Sequence, residues 1–62
     1  MMKYIGFDRT HENCRIDYFC DGCQTRKEVN HPEYSISKMI LISKVYLAIE
    51  ENHSEIKCEN CD

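Results

Sequence analysis

Sixty-two residues make one domain at most, spanning 1–62, and a chain this short buries only about 60% of the surface it exposes when unfolded. Such a domain needs a metal, disulfides or a partner to hold it together. The formal charge of −3 argues against a non-specific binder of phosphate backbones, which leans basic. Only two glycines are present, so no phosphate-cradling loop is evident. The longest apolar run, Met39 to Ile49, is too short to cross a bilayer and carries Lys44 in its middle.

The opening, Met1 to Asp8, lacks the apolar core and small-residue cleavage site of a secretory signal. The expectation is a cytoplasmic protein with no membrane role, in a compartment where thiols stay reduced. Tyr4, Ile5 and Phe7 predict a short strand, and Asp8 to Asn13 a polar loop. His11-Glu12-Asn13-Cys14 has ligand-like spacing. One reading is a second metal site joining His11 and Cys14 to His31 or His53; another lets Cys14 or a histidine replace one of the other cysteines. A closed site wants four ligands with supporting partners, so a polar loop with a surface histidine and a half-buried thiol is the favoured reading.

In Arg15 to Phe19, Ile16 and Tyr18 alternate with charged or aromatic neighbours and lead into Cys20-Asp21-Gly22-Cys23. Beyond Cys23 the alternation resumes, with Thr25, Lys27 and Val29 on one side and Gln24, Arg26 and Glu28 on the other. Strand, knuckle, strand predicts a hairpin whose turn is the cysteine pair. Gly22 suits that turn because it can adopt positive φ without a Cβ clash. Asn30-His31-Pro32 ends the strand, because proline cannot donate to a ladder. Arg15, Arg26 and Lys27, beside Tyr18 and Phe19, could hold phosphates and stack bases. Glu12, Asp17, Asp21 and Glu28 interleave with them, which favours an ordinary solvated face.

Pro32 to Asn52 predicts the one substantial helix, with Pro32 and Glu33 in a first turn and Ser35 as a second possible cap. At about 100° per residue the apolar positions form no narrow stripe. Ile36, Ile40 and Leu47 cluster, as do Met39, Ile42, Tyr46 and Ile49, while Leu41, Val45 and Ala48 lie nearly opposite the first group. A helix apolar over most of its circumference must be covered nearly all round, and this chain is too small to do that. A strand over 39–49 is the rival, supported by Ile40, Ile42, Val45 and Ile49 but long for so small a domain. Either way apolar surface is left over, and Met39, Ile42, Tyr46 and Ile49 are the expected interaction face for a protein partner or a homodimer.

The chain becomes extended again at Glu55 to Lys57 and delivers Cys58-Glu59-Asn60-Cys61. Two C-x-x-C pairs separated by 34 residues predict that Cys20, Cys23, Cys58 and Cys61 hold one structural Zn²⁺. Two residues between cysteines let the chain turn so that both sulfurs face one cation. Four thiolates around a divalent ion would carry the working charge to about −5. Disulfides or a redox pair are the alternatives; the odd fifth cysteine, Cys14, fits a disulfide framework poorly. A closed four-cysteine site leaves no coordination position for substrate, and a redox pair needs a helix starting at its motif. Both points argue against an enzyme.

Cys20-Asp21-Gly22-Cys23 and Cys58-Glu59-Asn60-Cys61 resemble the knuckles of the zinc-ribbon group of folds, over roughly a third of the chain. That resemblance implies a structural zinc and a binding role within or against transcription and translation machinery. The pattern is similar, more loosely, to small bacterial and phage zinc proteins that inhibit a host factor, such as anti-sigma proteins. The chain departs from a usual ribbon in its long insert and in lacking the Pro and Gly that often decorate the knuckles. The expected architecture is a small α+β domain, a zinc-knuckle hairpin with one long apolar helix inserted between the two pairs. The expected work is stoichiometric, a small regulator or inhibitor of a larger bacterial or phage-host machine. A nucleic-acid-binding zinc ribbon is the alternative, and a redox or metal-handling protein the third.

Overall fold

The computed structural model describes residues 1–62. Its four strands are β1 (Met2–Arg9), β2 (Cys14–Cys20), β3 (Thr25–Asn30) and β4 (Glu55–Ile56), with one helix, α1 (Ile42–Asn52), and a 3₁₀ turn at Pro32–Tyr34. The strands form one antiparallel sheet in the order β3-β2-β1-β4. The fold is thus small α+β, as expected, and the cysteine knuckle is the turn of the β2–β3 hairpin.

β2 organises the sheet. Its alternate residues Cys14, Ile16, Tyr18 and Cys20 are all buried, while Arg15, Asp17 and Phe19 are half-buried on the other face. That is the period-2 signature of a strand with one face on the core. Val45 and Ile49, one turn apart on α1, close over it together with Met2 and Cys58. Tyr18 fixes the helix end to the sheet by donating from its hydroxyl to the His53 carbonyl at 2.8 Å. β1 runs the full length of β2, longer than the short strand expected. Its register shifts between Tyr4 and Gly6, a bulge that leaves Ile5 unpaired and exposed.

The long helix expected from Pro32 is not formed. Only 11 residues, Ile42–Asn52, are helical, and residues 35–41 take an irregular path. The competing interaction comes from β1. The Arg9 guanidinium donates to the Tyr34 carbonyl at 2.8 Å, to that of Ser35 at 3.1 Å, and to that of Met39. The Tyr34 and Met39 carbonyls are ones a helix through this segment would use for itself, while the Ser35 carbonyl also accepts the Lys38 and Met39 N–H groups in a single local turn. The sequence 35–41 offers little resistance, since serine and β-branched isoleucine are mediocre helix formers. Ser35 is fully buried and its hydroxyl pairs with that of Ser37 at 3.3 Å. α1 then starts without a side-chain cap at Leu41.

Candidate metal centre

Each knuckle is closed by the same backbone device. The Gln24 N–H donates to the Cys20 carbonyl at 2.8 Å, and the Asp62 N–H donates to the Cys58 carbonyl at 2.8 Å. A single α-turn of this kind turns both sulfurs of a C-x-x-C pair to one side. The positive φ required falls on Gln24, at 61°, rather than on Gly22, which corrects the conformational role expected of that glycine. Gly22 serves by having no side chain. A Cβ there would lie 3.2 Å from Cys61 Sγ and 3.7 Å from Cys20 Sγ, so the glycine makes room for the opposing sulfur.

β2 and the hairpin turn bring Cys20 and Cys23 to the end of the sheet where β1 and β4 begin and end. β4, paired to Met2 and Lys3, delivers Cys58 and Cys61 to the same place. The four sulfurs lie within 4.8 Å of one another, with Cys20–Cys61 at 3.7 Å and Cys23–Cys58 at 3.5 Å. Ligands 2.3 Å from a tetrahedral ion stand about 3.8 Å apart. The sulfurs are therefore close enough to hold a metal ion, at separations consistent with zinc. They are also far beyond the S–S bond length of about 2.05 Å, and all five cysteines are free.

Electrostatics favour charge in the cluster. The Thr25 hydroxyl lies 3.1 Å from Cys23 Sγ. Its hydrogen bond with Cys23, followed by that of Cys61, draws Cys23 down to about 6. The Asn60 amide donates to the same Thr25 Oγ1 at 3.2 Å. The Cys61 thiol is pushed up to about 12, chiefly by its hydrogen bond to Cys23 and next by that to Cys20. Burial pushes Cys58 up as well. Cys23 thus gives up its proton readily while Cys58 and Cys61 hold theirs, and a divalent cation would displace those protons. Cys20 and Cys58 are buried, Cys23 is half-buried and Cys61 is exposed.

The four cysteines are the one group of three or more metal-competent side chains whose ligand atoms converge. His11 is exposed on its loop, and Cys14 is fully rather than half buried, as a core residue. His31 and His53 pack against each other with tilted rings, centroids 4.4 Å apart and planes at 46°, and Tyr34 Oη meets His53 Nε2 at 2.9 Å. The basic patch is also rearranged. Arg15 is taken up by Asp17 and Glu28, each at 3.1 Å, while Arg26 lies across from Phe19 with Lys3 on the far side of that ring.

Of the expected interaction face, Ile42 and Tyr46 are exposed. Met39 is partly buried against the core, and Ile49 is fully buried beneath α1, so Ile49 faces the sheet and cannot meet a partner. The difference follows from the helix's orientation: Val45 and Ile49 define its inner side, and that choice turns Leu47, with Lys44 and Glu51, outward. Thr25, Asn60 and Asp62 are the supporting residues that spacing alone did not reveal; their role depends on β3 lying beside the second knuckle. Comparison with protein-family models, curated proteins and solved structures finds no match.

Proposed function

We propose that this chain is a non-enzymatic binding module, stapled by one structural zinc on Cys20, Cys23, Cys58 and Cys61, which acts by associating with protein. The observation that carries the reading is the pairing of a four-sulfur cluster with an apolar surface the fold does not cover. The cluster sits between the second knuckle and the hairpin, so the ion would tie the end of the chain to the sheet. Its binding free energy would then be folding free energy. The exposed surface includes Ile36, Ile40, Leu41, Ile42, Tyr46 and Leu47, in a protein with a total accessible surface of 4335 Å². Exposed apolar side chains that adjoin one another, as Ile40, Leu41 and Ile42 do in sequence, are what a protein partner would cover. A regulator or inhibitor of a larger bacterial or phage-host machine, such as transcription, fits a small stapled scaffold of net negative charge.

Native mass spectrometry of protein purified without chelator tests the first half. One zinc per chain supports it, and a folded chain with no bound metal defeats it. Site-specific photo-crosslinking from Tyr46 tests the second. A discrete protein adduct supports it; adducts to nucleic acid alone defeat it.

A second reading is favoured by one row of the sheet. Lys3, Phe19 and Arg26 are cross-strand neighbours on the face away from α1, an aromatic ring flanked by two cations that could stack one base and hold its phosphates. A gel shift whose affinity falls steeply with salt, and which Phe19→Ala abolishes, would select that reading.

A further inference from the structure

We propose that the four-cysteine cluster is also a site of oxidative modification. A peroxide forms two disulfides between the knuckles, Cys20–Cys61 and Cys23–Cys58, and the ion leaves while the end of the chain stays on the sheet. The inference rests on the reading above that the cluster holds one structural zinc, and it goes beyond that reading by giving the staple a second, metal-free closed form. Three observations carry it.

The first is pairing. Cys23 Sγ lies 3.5 Å from Cys58 Sγ, and Cys20 Sγ lies 3.7 Å from Cys61 Sγ. Both contacts cross from one knuckle to the other. Together they use each sulfur once, so both bridges can close in one molecule. Reaching a bond of about 2.05 Å asks each sulfur to move by less than about 1 Å.

The second is access. Cys20 and Cys58 are buried, but Cys61 is exposed. Beside it stands Gly22, also exposed, where a Cβ would lie 3.2 Å from Cys61 Sγ. The glycine brings no side chain to cover that sulfur. Accessible sulfurs are the ones oxidised, so a small oxidant meets Cys61 first, with the buried Cys20 at hand as its partner.

The third is retention of the core. Only eight apolar residues are buried in it, Cys58 among them, and Cys58 is there because the second knuckle is held against the first. Bridges across the knuckles join residues 41 and 35 apart in the chain. They preserve that connection and restrain the unfolded chain strongly. Bridges within the knuckles would free residues 58–62 and close only two short loops. Thiol–disulfide exchange passes between such isomers, and the folding free energy selects the one that keeps the core.

Each bridge consumes one peroxide. The Cys61 thiolate attacks a peroxide oxygen; the O–O bond breaks, hydroxide leaves and the sulfur becomes a sulfenic acid. The Cys20 thiolate then attacks that sulfur, the S–S bond forms and a second hydroxide departs. Two protons from solvent convert the hydroxides to water. The same sequence at Cys23 and Cys58 takes a second peroxide, so four sulfurs lose four electrons and two peroxides become four waters. No thiolate then remains for the divalent ion.

Hydrogen peroxide added to the zinc-loaded full chain tests this, with a chromophoric chelator reporting free zinc. About two equivalents should release the ion and leave the chain about 4 Da lighter than its reduced form. After alkylation of the remaining thiols in denaturant, trypsin cuts following Arg15, Arg26 and Lys57 and puts the knuckles on separate peptides, 16–26 and 58–62. These should stay joined until a reductant is added. Further cleavage at Asp21 and Glu59 should show Cys20 bonded to Cys61 and Cys23 to Cys58. Cys14, buried at the far end of β2, should carry the alkyl group. The amide NMR spectrum should remain dispersed after the zinc has left. Peptides that separate, each with its own bridge, overturn the proposal, as does any other pairing, a collapsed spectrum, or sulfinic acids in place of bridges. So does a cluster that keeps its zinc and its thiols in about tenfold excess of peroxide. Each of these leaves the zinc staple standing. A chain that is folded and metal-free before peroxide is added defeats the staple instead, and the mapped bridges still decide the pairing.

Discussion

The carboxylate of Asp62 accepts the backbone N–H of Cys58 at 2.8 Å, while the Asp62 N–H donates to the Cys58 carbonyl at 2.8 Å. One residue thus satisfies both backbone groups of the cysteine that opens the second knuckle. The Cys58 N–H, and secondarily the Met1 ammonium at 3.1 Å, hold the Asp62 carboxyl below the usual carboxylate range. Asp62→Ala removes the acceptor and loosens the turn that aims Cys58 and Cys61. Supporting contacts of this kind typically contribute about 10–100-fold to metal affinity. The expected outcome is zinc affinity at least about tenfold weaker in competition with a chromophoric chelator, with Asp62→Asn recovering part of it. Equal affinities for Asp62→Ala and the parent chain would show that the reciprocal pair is idle.

Removing the metal should unfold the protein. The core has only eight buried apolar residues, three of them cysteines, and two of those three are in the cluster. Without an ion, burial and neighbouring thiols oppose a thiolate at Cys58 and Cys61. A strong chelator should therefore collapse the dispersion of the amide NMR spectrum, and added Zn²⁺ should restore it. Cys→Ser at Cys20 or Cys58 should behave as the chelated chain does. Cys14→Ala is the informative contrast, because Cys14 is equally buried but remote from the cluster. It should cost about 1–2 kcal/mol as a packing loss and still bind one ion. A chelated chain with an unchanged spectrum would mean that the sheet and α1 suffice alone.

The elements that were legible in the sequence are those whose information is local. The alternation in β2 and β3 and the C-x-x-C spacing each specify a conformation within a few residues, and the hairpin with its cysteine turn appears as expected. The helix boundary was not legible, because it is set by Arg9, 26 residues from Ser35 in the chain. Nothing in 32–41 announces that a guanidinium from β1 will take its carbonyls. The same limit applies to Gly22, whose value is clearance for Cys61, a residue at the far end of the sequence. Periodicity groups Ile49 with Ile42 and Tyr46, which by itself points to a shared interaction surface. Which side of a helix faces inward depends on the sheet, and here it is the Val45 and Ile49 side.

Arg9 gives the third prediction. Its guanidinium donates to three carbonyls in 34–39, with no carboxylate within salt-bridge distance, so it acts as a clamp on the path of that segment. Arg9→Met keeps the aliphatic stem and removes the donors, leaving the Tyr34 and Met39 carbonyls without them while Ser35 keeps its backbone partners. The cost should be about 2 kcal/mol in denaturant unfolding. Hydrogen exchange should accelerate first at Met39, whose N–H donates to the Ser35 carbonyl, and at Lys38, which does the same. If exchange there is unchanged while stability falls, Arg9 acts through packing rather than through these hydrogen bonds.

The final prediction concerns acid. The His53 imidazolium is disfavoured, first by burial and then by His31 against it, with Glu33 opposing weakly. Tyr34 Oη at 2.9 Å and the His31 ring, its centroid 4.4 Å away, cover the His53 imidazole. The folded-state pKa of His53 therefore lies below its ordinary 6.5. As pH falls, the unfolded chain takes up this proton before the folded chain does. Stability is therefore full above the ordinary value and declines as pH drops below it, until the folded pKa is passed. Cysteine protonation also releases metal in acid, and that contribution is common to the parent and to His53→Gln, whose side-chain amide can still meet Tyr34. The difference in melting temperature between the two should change steadily in favour of the variant from pH 7 toward pH 5, in steps of about half a unit. A difference that stays flat across that range would place the acid sensitivity entirely on the sulfur cluster.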